Sequence, residues 1–578
     1  MPRRLKELAE FKTVRDLIIN DYVEYNEKTA FIRSTSFGVN GAGGEPEYER
    51  ITYDRFYKDV KALGTFITRD VFLSAVSTKG SEDAAEDSPI KRKANIAVMG
   101  DNSYFCALAS LTIMCGIGTA LPLGRSTSDE KIKEIFSDLG IKHAFVHPAY
   151  AHRIPDGVKI YSLDPVAMQE YIELGKKDQD ATDLFLTSPI SDTEDICLAL
   201  STNGEKGRRK FAKLTNKNLS LAITSLQKNI KITHADSFVS ILPLALYSEF
   251  VTGLLFPLSR GASITYGDHS LSNDPSEILK VHKPTMLVSA PCFVESVYSA
   301  IWSNLQKNGK TEEAMNFIRM VENAGQVRRG IKQSVFSDVT GMLGGNLKAI
   351  ISVSDSLSVR ARSGMKAFGI PVIDVYGMAE CPVISVKLSA SDSDKSLGDP
   401  VPNVSISINS AEHDGIGLIR IRGEAVACGY CNERHNKKYV NRDGWLSTGD
   451  IGTLTSDGRV HLVGKKTTAF ESSRPGRMVY PEQLEAALCA EYNIAEAIVY
   501  CEKVENEAGE IETTVCAKVR PEISFTDLHG TVASKKMVRD TVEKINLILL
   551  PYKKIGKYSV TFEKLKRTPA FRLERWSL

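Results

Sequence analysis

The stretch STNGEKGRRKFAK, Ser201 to Lys213, carries two glycines, five cationic side chains and hydroxyls only at its start. Glycines let backbone N–H groups close on an anion and the cations offset its charge, so the stretch reads as a loop built to hold phosphate. A second stretch, VYGMAECPVIS (Val375 to Ser385), follows an apolar strand. It sets Tyr376, Gly377 and Glu380 at a strand end, where open α/β sheets bind ligands. Glu380 has an oxygen that can hold Mg²⁺, and Tyr376 has a ring that can stack on a base. A plain loop with a solvated glutamate has the same letters. A third stretch, DGWLSTGDIGTLTSDGRVHLVGKK (Asp443 to Lys466), has turn signals at TGD and SDG around a short strand. Asp450 is a natural acceptor for two ribose hydroxyls, and Lys465 lies just after the hairpin. The alternative is an ordinary hairpin with surface charges. Cys428, Cys431 and His435 in ACGYCNERH offer three zinc ligands, but no fourth is evident and the segment reads as a strand leaving a turn. No zinc is expected there.

These residues need a scaffold. Short apolar runs alternate with helical segments: ANIAVMG, a helix across Tyr104 to Gly116, TALPL, a helix across Asp129 to Leu139, and HAFVH. SFVSILPL, ASITYG, TMLVSAP, LKAIISVS and PVIDVYG continue the pattern. Strands separated by helices of this length predict layered, parallel α/β subdomains. After Lys395, SISIN, GLIRIRG and GTLTSDGRVHLVG are short turn-punctuated strands, which predicts a β-rich subdomain. Beyond Gly464 a smaller α+β segment follows, with a helix at Pro481 to Glu491, strands at AEAIVYC and TTVCAKV, and a helix near Lys535 to Leu549. The division is expected between residues 1–464 and 465–578, the smaller part being mobile. FGVNGAGGEPEYE reads as a Gly-rich loop, and Ala75 to Lys93 as a mobile surface loop.

At 578 residues the chain is too long for one core, and 42% hydrophobic with 25% charged residues is ordinary for a globular protein. A net charge of +2 gives no argument for nucleic acid or an anionic membrane as partner. The start, MPRRLKELAEFKTVRDLI, is charged throughout and is not a secretory signal. The most apolar window, Phe238 to Ala262, is interrupted by Tyr247, Ser248, Glu249 and Arg260, so it predicts a buried segment and no membrane span. Ten scattered cysteines suit reduced thiols in a cytoplasmic protein.

Taken together and in order, these motifs make the chain similar to the AMP-forming adenylating enzymes: acyl-CoA synthetases, peptide-synthetase adenylation domains and luciferases. The nearest likeness is to bacterial long-chain acyl-CoA ligases. The resemblance runs from RITYDRFYKDVKALGTFI, through GDNSYF and ILPLALYSEFVTGLLFPLSRGASI, to YPEQLEAAL and RTPAFRLERW. It implies a two-step reaction, in which a carboxylate attacks the α-phosphate of ATP and a thiol of CoA or a carrier-protein phosphopantetheine arm then displaces AMP. The C-terminal part would rotate between the steps. By position, Tyr376 and the adjoining Gly377 would bind adenine, Glu380 would hold Mg²⁺, Asp450 would bind ribose, and Lys465 would stand where the family has arginine. Thr202, Gly204, Gly207 and Lys210 would be the surviving positions of the phosphate loop.

The chain also departs from that family. Glu205 and Lys206 stand where hydroxyls would donate to pyrophosphate. Arg572, preceded by Phe571, takes the place of the catalytic lysine; its guanidinium keeps the charge without the compact ammonium head. Ala245 and Leu246 replace histidines of close relatives, Thr468 replaces aspartate and Met478 replaces asparagine. Two principal expectations follow: an AMP-forming ligase with altered chemistry acting on a plain carboxylic acid, or a non-catalytic relative that binds nucleotide, acyl group or carrier protein. Acyl transfer without ATP is a third.

Overall fold

The computed structural model describes residues 11–35, 47–73, 94–178, 192–203, 209–267, 275–324, 337–353, 357–388, 396–410, 415–436, 440, 443–491, 493–505, 511–568 and 572–575. The Gly-rich loop and the Ala75–Lys93 segment expected from sequence fall largely outside these residues, as do Gly204, Gly207 and Phe571.

Two large sheets dominate. In the first, strands Lys159–Ser162, His143–Val146, Ala94–Met99, Gly118–Leu123 and Ile196–Asn203 lie in that order and run parallel, and Arg209–Thr215 adds an antiparallel edge. In the second, Val372–Met378, Ala349–Val353, Met286–Ser289, Ser237–Val239, Ser263–Tyr266 and Thr29–Ser34 are parallel neighbours, with antiparallel strands Cys381–Lys387 and Tyr48–Thr52 flanking them. A short strand, Asp399–Pro400, completes the nine. These strands read as continuous apolar runs because helices cover them. The helix Tyr53–Thr68 shows why: Phe56, Val60, Leu63 and Ile67, three or four residues apart, are all buried. Thr52 caps it, its hydroxyl accepting the Arg55 N–H at 3.2 Å.

The expected β-rich part is an antiparallel sheet of Ser405–Ser410, Gly417–Arg422, Leu446–Leu454 and Val460–Lys465. A two-stranded ribbon, Phe470–Glu471 with Met478–Val479, follows. Ile494–Glu505, Ile511–Pro521 and Ile555–Val560 then form a last sheet. Its apolar cluster, which includes Val479, Leu484, Val499, Val515 and Val538, is separate from that of the two large sheets.

Three local expectations differ from the structure. The Ser201–Lys213 stretch is not all loop: its described ends are strand, with Thr202 paired to Lys210 and Asn203 to Arg209. The SFVSILPL run is strand only at Ser237–Val239, because the Asn102 side chain takes over the backbone pairing. It donates to the Leu242 carbonyl at 2.6 Å and accepts the Leu244 N–H at 2.9 Å. The last long helix spans Ile523–Ile548, starting well before Lys535, and is interrupted at Gly530, whose φ of 80° is left-handed.

The Phe238–Ala262 window is largely buried, as expected, and it carries a carboxyl group inside: Glu249, 1% exposed, accepts from the Ser240 hydroxyl. Burial pushes its pKa up to about 8, against hydrogen bonds from Ser240 and Leu242 that pull it down. The native state therefore keeps a proton that an unfolded glutamate gives up near pH 4.5, and the associated stability is lost as pH rises from there through about 8. Glu249→Gln keeps an acceptor for Ser240 and has nothing to ionise. In urea titrations at pH 9 it should exceed the wild type in stability by on the order of a few kcal/mol, the gap closing toward pH 4.5. Parallel pH curves for the two proteins would contradict this.

Candidate active site

Asp450 lies on strand Leu446–Leu454 opposite Lys465 on the neighbouring strand. The Lys465 Nζ is 3.2 Å from Asp450 Oδ1, and the Tyr376 hydroxyl donates to Asp450 Oδ2 at 2.7 Å. The TGD turn sets this up. Gly449 takes a φ of 82°, which favours glycine, and Thr448 Oγ1 accepts the Asp450 N–H at 3.1 Å while its hydroxyl donates to the Ile419 carbonyl at 3.0 Å. Burial and the neighbouring Asp450 both push the Tyr376 phenol well above its usual pKa, so it stays a donor.

Gly377 comes next on the strand Val372–Met378. A Cβ there would fall 2.1 Å from the Pro382 carbonyl oxygen, so the strand-to-strand approach needs glycine. The Tyr247 hydroxyl donates to the Gly377 carbonyl at 2.6 Å. Glu380 sits on the tight reversal that follows and is 2% exposed. The Tyr430 hydroxyl donates to its Oε1 at 2.7 Å, and its Oε2 is buried with no hydrogen-bond partner among the described residues. Burial raises the Glu380 pKa, while Tyr430, the Thr202 hydroxyl and the Lys210 ammonium pull it down. Lys210 in turn lies over the Tyr430 ring, 4.9 Å from its centroid. The two ends of the phosphate-type hairpin are thus carried to Glu380.

A cavity of about 3250 Å³ opens beside these groups, and Tyr376, Lys465 and Arg572 all line it. Arg572 sits on a tail bent back on itself: the Thr568 N–H donates to the Arg572 carbonyl at 2.8 Å, and Arg575 is held by Glu485 at 2.9 Å and Glu482 at 3.3 Å. Glu482 also accepts the Thr468 hydroxyl at 2.6 Å, and that hydroxyl lies 3.1 Å from the Lys465 carbonyl. The structure therefore brings Tyr376, Gly377, Asp450 and Lys465 together, gathers Thr202, Lys210 and Glu380 next to them, and places Arg572 on the same cavity as Tyr376 and Lys465. Sequence reasoning did not single out Tyr247 or Tyr430. Tyr430 lies between the two cysteines considered for zinc. Cys428 Sγ faces the Lys213 carbonyl at 3.4 Å, and none of the ten cysteines is in a disulfide. Among the described residues no cluster of three or more His, Cys, Asp or Glu side chains is placed to hold a metal, and no helix is long and apolar enough to cross a membrane.

The profile of the AMP-binding enzyme family matches residues 88–431, more than half of the chain. The chain belongs to this family. Among curated proteins it is similar to long chain acyl-CoA synthetase 4 of Arabidopsis thaliana, 29% identical over 57% of this chain and 51% of the relative. It is also similar to oxalate–CoA ligase of the same plant, 24% identical over 82% of this chain and 88% of the relative. The matched part thus spans about half the length of the long-chain relatives. Among solved structures, the anthranilate CoA ligase AuaEII with anthranoyl-AMP superposes at a TM-score of 0.73, with 16% identity, over 99% of this chain and 97% of that one. O-succinylbenzoate coenzyme A synthetase (MenE) of Bacillus subtilis, with ATP and magnesium, superposes at 0.66, with 17% identity, over 96% and 98%. At such identities the likeness shows the fold: α/β, with mixed sheets layered by helices.

The Tyr430 hydroxyl donates to the buried Glu380 carboxyl group at 2.7 Å. Tyr430→Phe should therefore lower the unfolding free energy by about 1–3 kcal/mol at neutral pH, measured in urea. An unchanged midpoint and slope would mean that the buried carboxyl group does not depend on this bond.

Proposed function

We propose that the chain is an AMP-forming acyl ligase, which activates a carboxylic acid with ATP as an acyl-adenylate and passes the acyl group to a thiol. The observation that carries this reading is the Asp450 carboxylate held by Tyr376 and Lys465 beside a large cavity. A fixed, partly buried carboxylate is a suitable acceptor for vicinal ribose hydroxyls, and the Tyr376 ring next to it offers a face for a base. Lys465 and Arg572 supply positive charge where a pentavalent phosphorus would gather negative charge. The relatives named above are called CoA ligases or synthetases, for acids ranging from long-chain to oxalate and anthranilate. That favours a carboxylic acid as substrate and CoA as the thiol, with a carrier-protein phosphopantetheine arm as the alternative acceptor.

Mg²⁺ fits the residues present. Glu380 has one buried oxygen without a hydrogen-bond partner among the described residues, and Mg²⁺ is commonly held by one or two carboxylates together with substrate phosphates. Glu380 would hold the ion, with the Thr202 hydroxyl near it, and the ion would screen phosphate charge. Tyr430 orients Glu380, and Thr202 and Lys210 carry the hairpin whose tip, with Gly204 and Gly207, would enclose the phosphates. Residues 465–578 form a separately moving part in this reading, supported by the separate apolar cluster that starts at Val479. Ten cysteines without a disulfide, five of them buried, fit a reducing compartment such as the cytoplasm. A second reading, a non-catalytic nucleotide- or acyl-binding protein, draws on Glu205 and Arg572.

Acid-dependent exchange of pyrophosphate into ATP tests the ligase. Losing one placed electrostatic donor typically costs about 10²–10³ in rate, so exchange by the wild type should be slow. Arg572→Lys with Glu205→Thr and Lys206→Thr should raise it by about 10²-fold. A variant that folds, binds ATP and shows no exchange with any acid would rule the ligase out.

A further inference from the structure

Cys428 and Cys431 bracket Tyr430, the residue that orients Glu380, and the proposed reaction uses neither thiol. Their segment runs antiparallel along strand Arg209–Thr215. The Cys428 N–H donates to the Lys213 carbonyl at 3.1 Å, the Lys213 N–H to the Gly429 carbonyl at 2.8 Å, and the Cys431 N–H to the Phe211 carbonyl at 2.9 Å, while Tyr430 pairs with Ala212. Cys428 and Gly429 therefore stand together opposite Lys213, the two-against-one arrangement of a β-bulge. In a regular strand, side chains three residues apart point to opposite faces. The extra residue cancels that offset and puts both thiols on the face of Lys213. A Cβ on Gly429 would come within 3.6 Å of Lys213 Cε, so the lysine lies along the backbone between the two cysteines. Burial raises the pKa of both thiols, Cys431 up to about 11, and the Lys213 ammonium pulls each of them back.

We propose that Cys428 and Cys431 are a reversible dithiol–disulfide site that governs Glu380, a role that rests on the ligase reading above. The oxidant is a low-molecular-weight disulfide such as that of glutathione. Cys428, the more exposed of the two, attacks one of its sulfurs as the thiolate; the S–S bond breaks and one small thiolate leaves. Cys431, its proton passing to solvent, then attacks Cys428 Sγ and expels the second small thiolate. Two cysteines are oxidised, the small disulfide is reduced to two thiols, and the two protons given up by the cysteines end on those thiols. A disulfide usually needs its Cα atoms within about 7 Å. Residues two apart on a strand are already about 7 Å apart, and the bulge adds one more residue. Closure therefore pulls the Gly429–Tyr430 backbone out of its pairing with Ala212 and takes the Tyr430 hydroxyl from Glu380. The disulfide form leaves Glu380 without the hydroxyl that orients it.

The test equilibrates the full chain with reduced and oxidised glutathione, traps the remaining thiols with N-ethylmaleimide and digests the protein with trypsin. Both cysteines fall in one peptide, GEAVACGYCNER, Gly423 to Arg434. In excess oxidised glutathione this peptide should carry no label and be about 2 Da lighter than its dithiol, and dithiothreitol should restore two labelled sulfurs. By calorimetry the oxidised protein should bind ATP with Mg²⁺ about 10- to 100-fold more weakly than the reduced one, the usual cost of losing the partner that orients a metal ligand. Cys428→Ser, at an exposed position, should form no such disulfide and keep its affinity under the same treatment. Two labelled sulfurs under oxidising conditions, a lasting mixed disulfide with glutathione, or a bond to another cysteine would overturn the inference. Equal affinity of the oxidised and reduced proteins would overturn it as well, as would the same loss of affinity in oxidised Cys428→Ser. Failure of the reduced wild type to bind any nucleotide would instead remove the ligase reading, and the peptide mass would still decide whether the disulfide forms.

Discussion

One carboxylate, Asp450, joins the parts of this molecule that a nucleotide would have to touch together. Its two oxygens are taken by Tyr376, from the nine-stranded sheet, and by Lys465, from the antiparallel sheet. The Asp450 and Lys465 side chains are 16% and 14% exposed, so the pair is shielded enough to be stronger than a surface ion pair yet is not cut off from a ligand. The rest of the site follows from holding this carboxylate in place. Gly449 turns the strand so that Asp450 faces inward, Gly377 lets the Tyr376 strand close on its neighbour, and Thr468 ties the end of the Lys465 strand to Glu482.

A second carboxyl group, Glu380, works under the opposite condition. It is buried more deeply than Asp450, has one hydroxyl bond at 2.7 Å and one oxygen left over, and its pKa rises because water is excluded. Asp450 is satisfied by its own protein, whereas Glu380 is only half satisfied. That difference is what a ribose-binding group and a metal-binding group would each require. Thr202 and Lys210 act on Glu380, so the phosphate end and the ribose end of a nucleotide would fall at opposite ends of the five residues from Tyr376 to Glu380.

Much of this was legible in the sequence, and for physical reasons. Parallel strands covered by helices read as apolar runs, and glycines at forced turns mark TGD and YGM. What escaped depends on contacts distant in sequence. The Tyr376–Asp450 bond spans 74 residues and the Tyr430–Glu380 bond spans 50, and no local pattern announces either. Strand pairing at Thr202 and Lys210 was hidden because polar and cationic letters suggest a loop, although an edge strand carries them equally well. Arg362 sits in the helix VRARSGMKA, where its letters suggest a solvated face, and only packing against strand Val372–Met378 reveals it as buried.

The most direct test of the account is the binding of AMP, measured by calorimetry, to the wild type and to Asp450→Ala. AMP has no pyrophosphate, so the altered phosphate loop matters least to it. The account predicts saturable binding to the wild type and none to Asp450→Ala at millimolar nucleotide, with both proteins folded. Equal affinity in the two proteins, or no binding to the wild type, would contradict the claim that this carboxylate organises a nucleotide site.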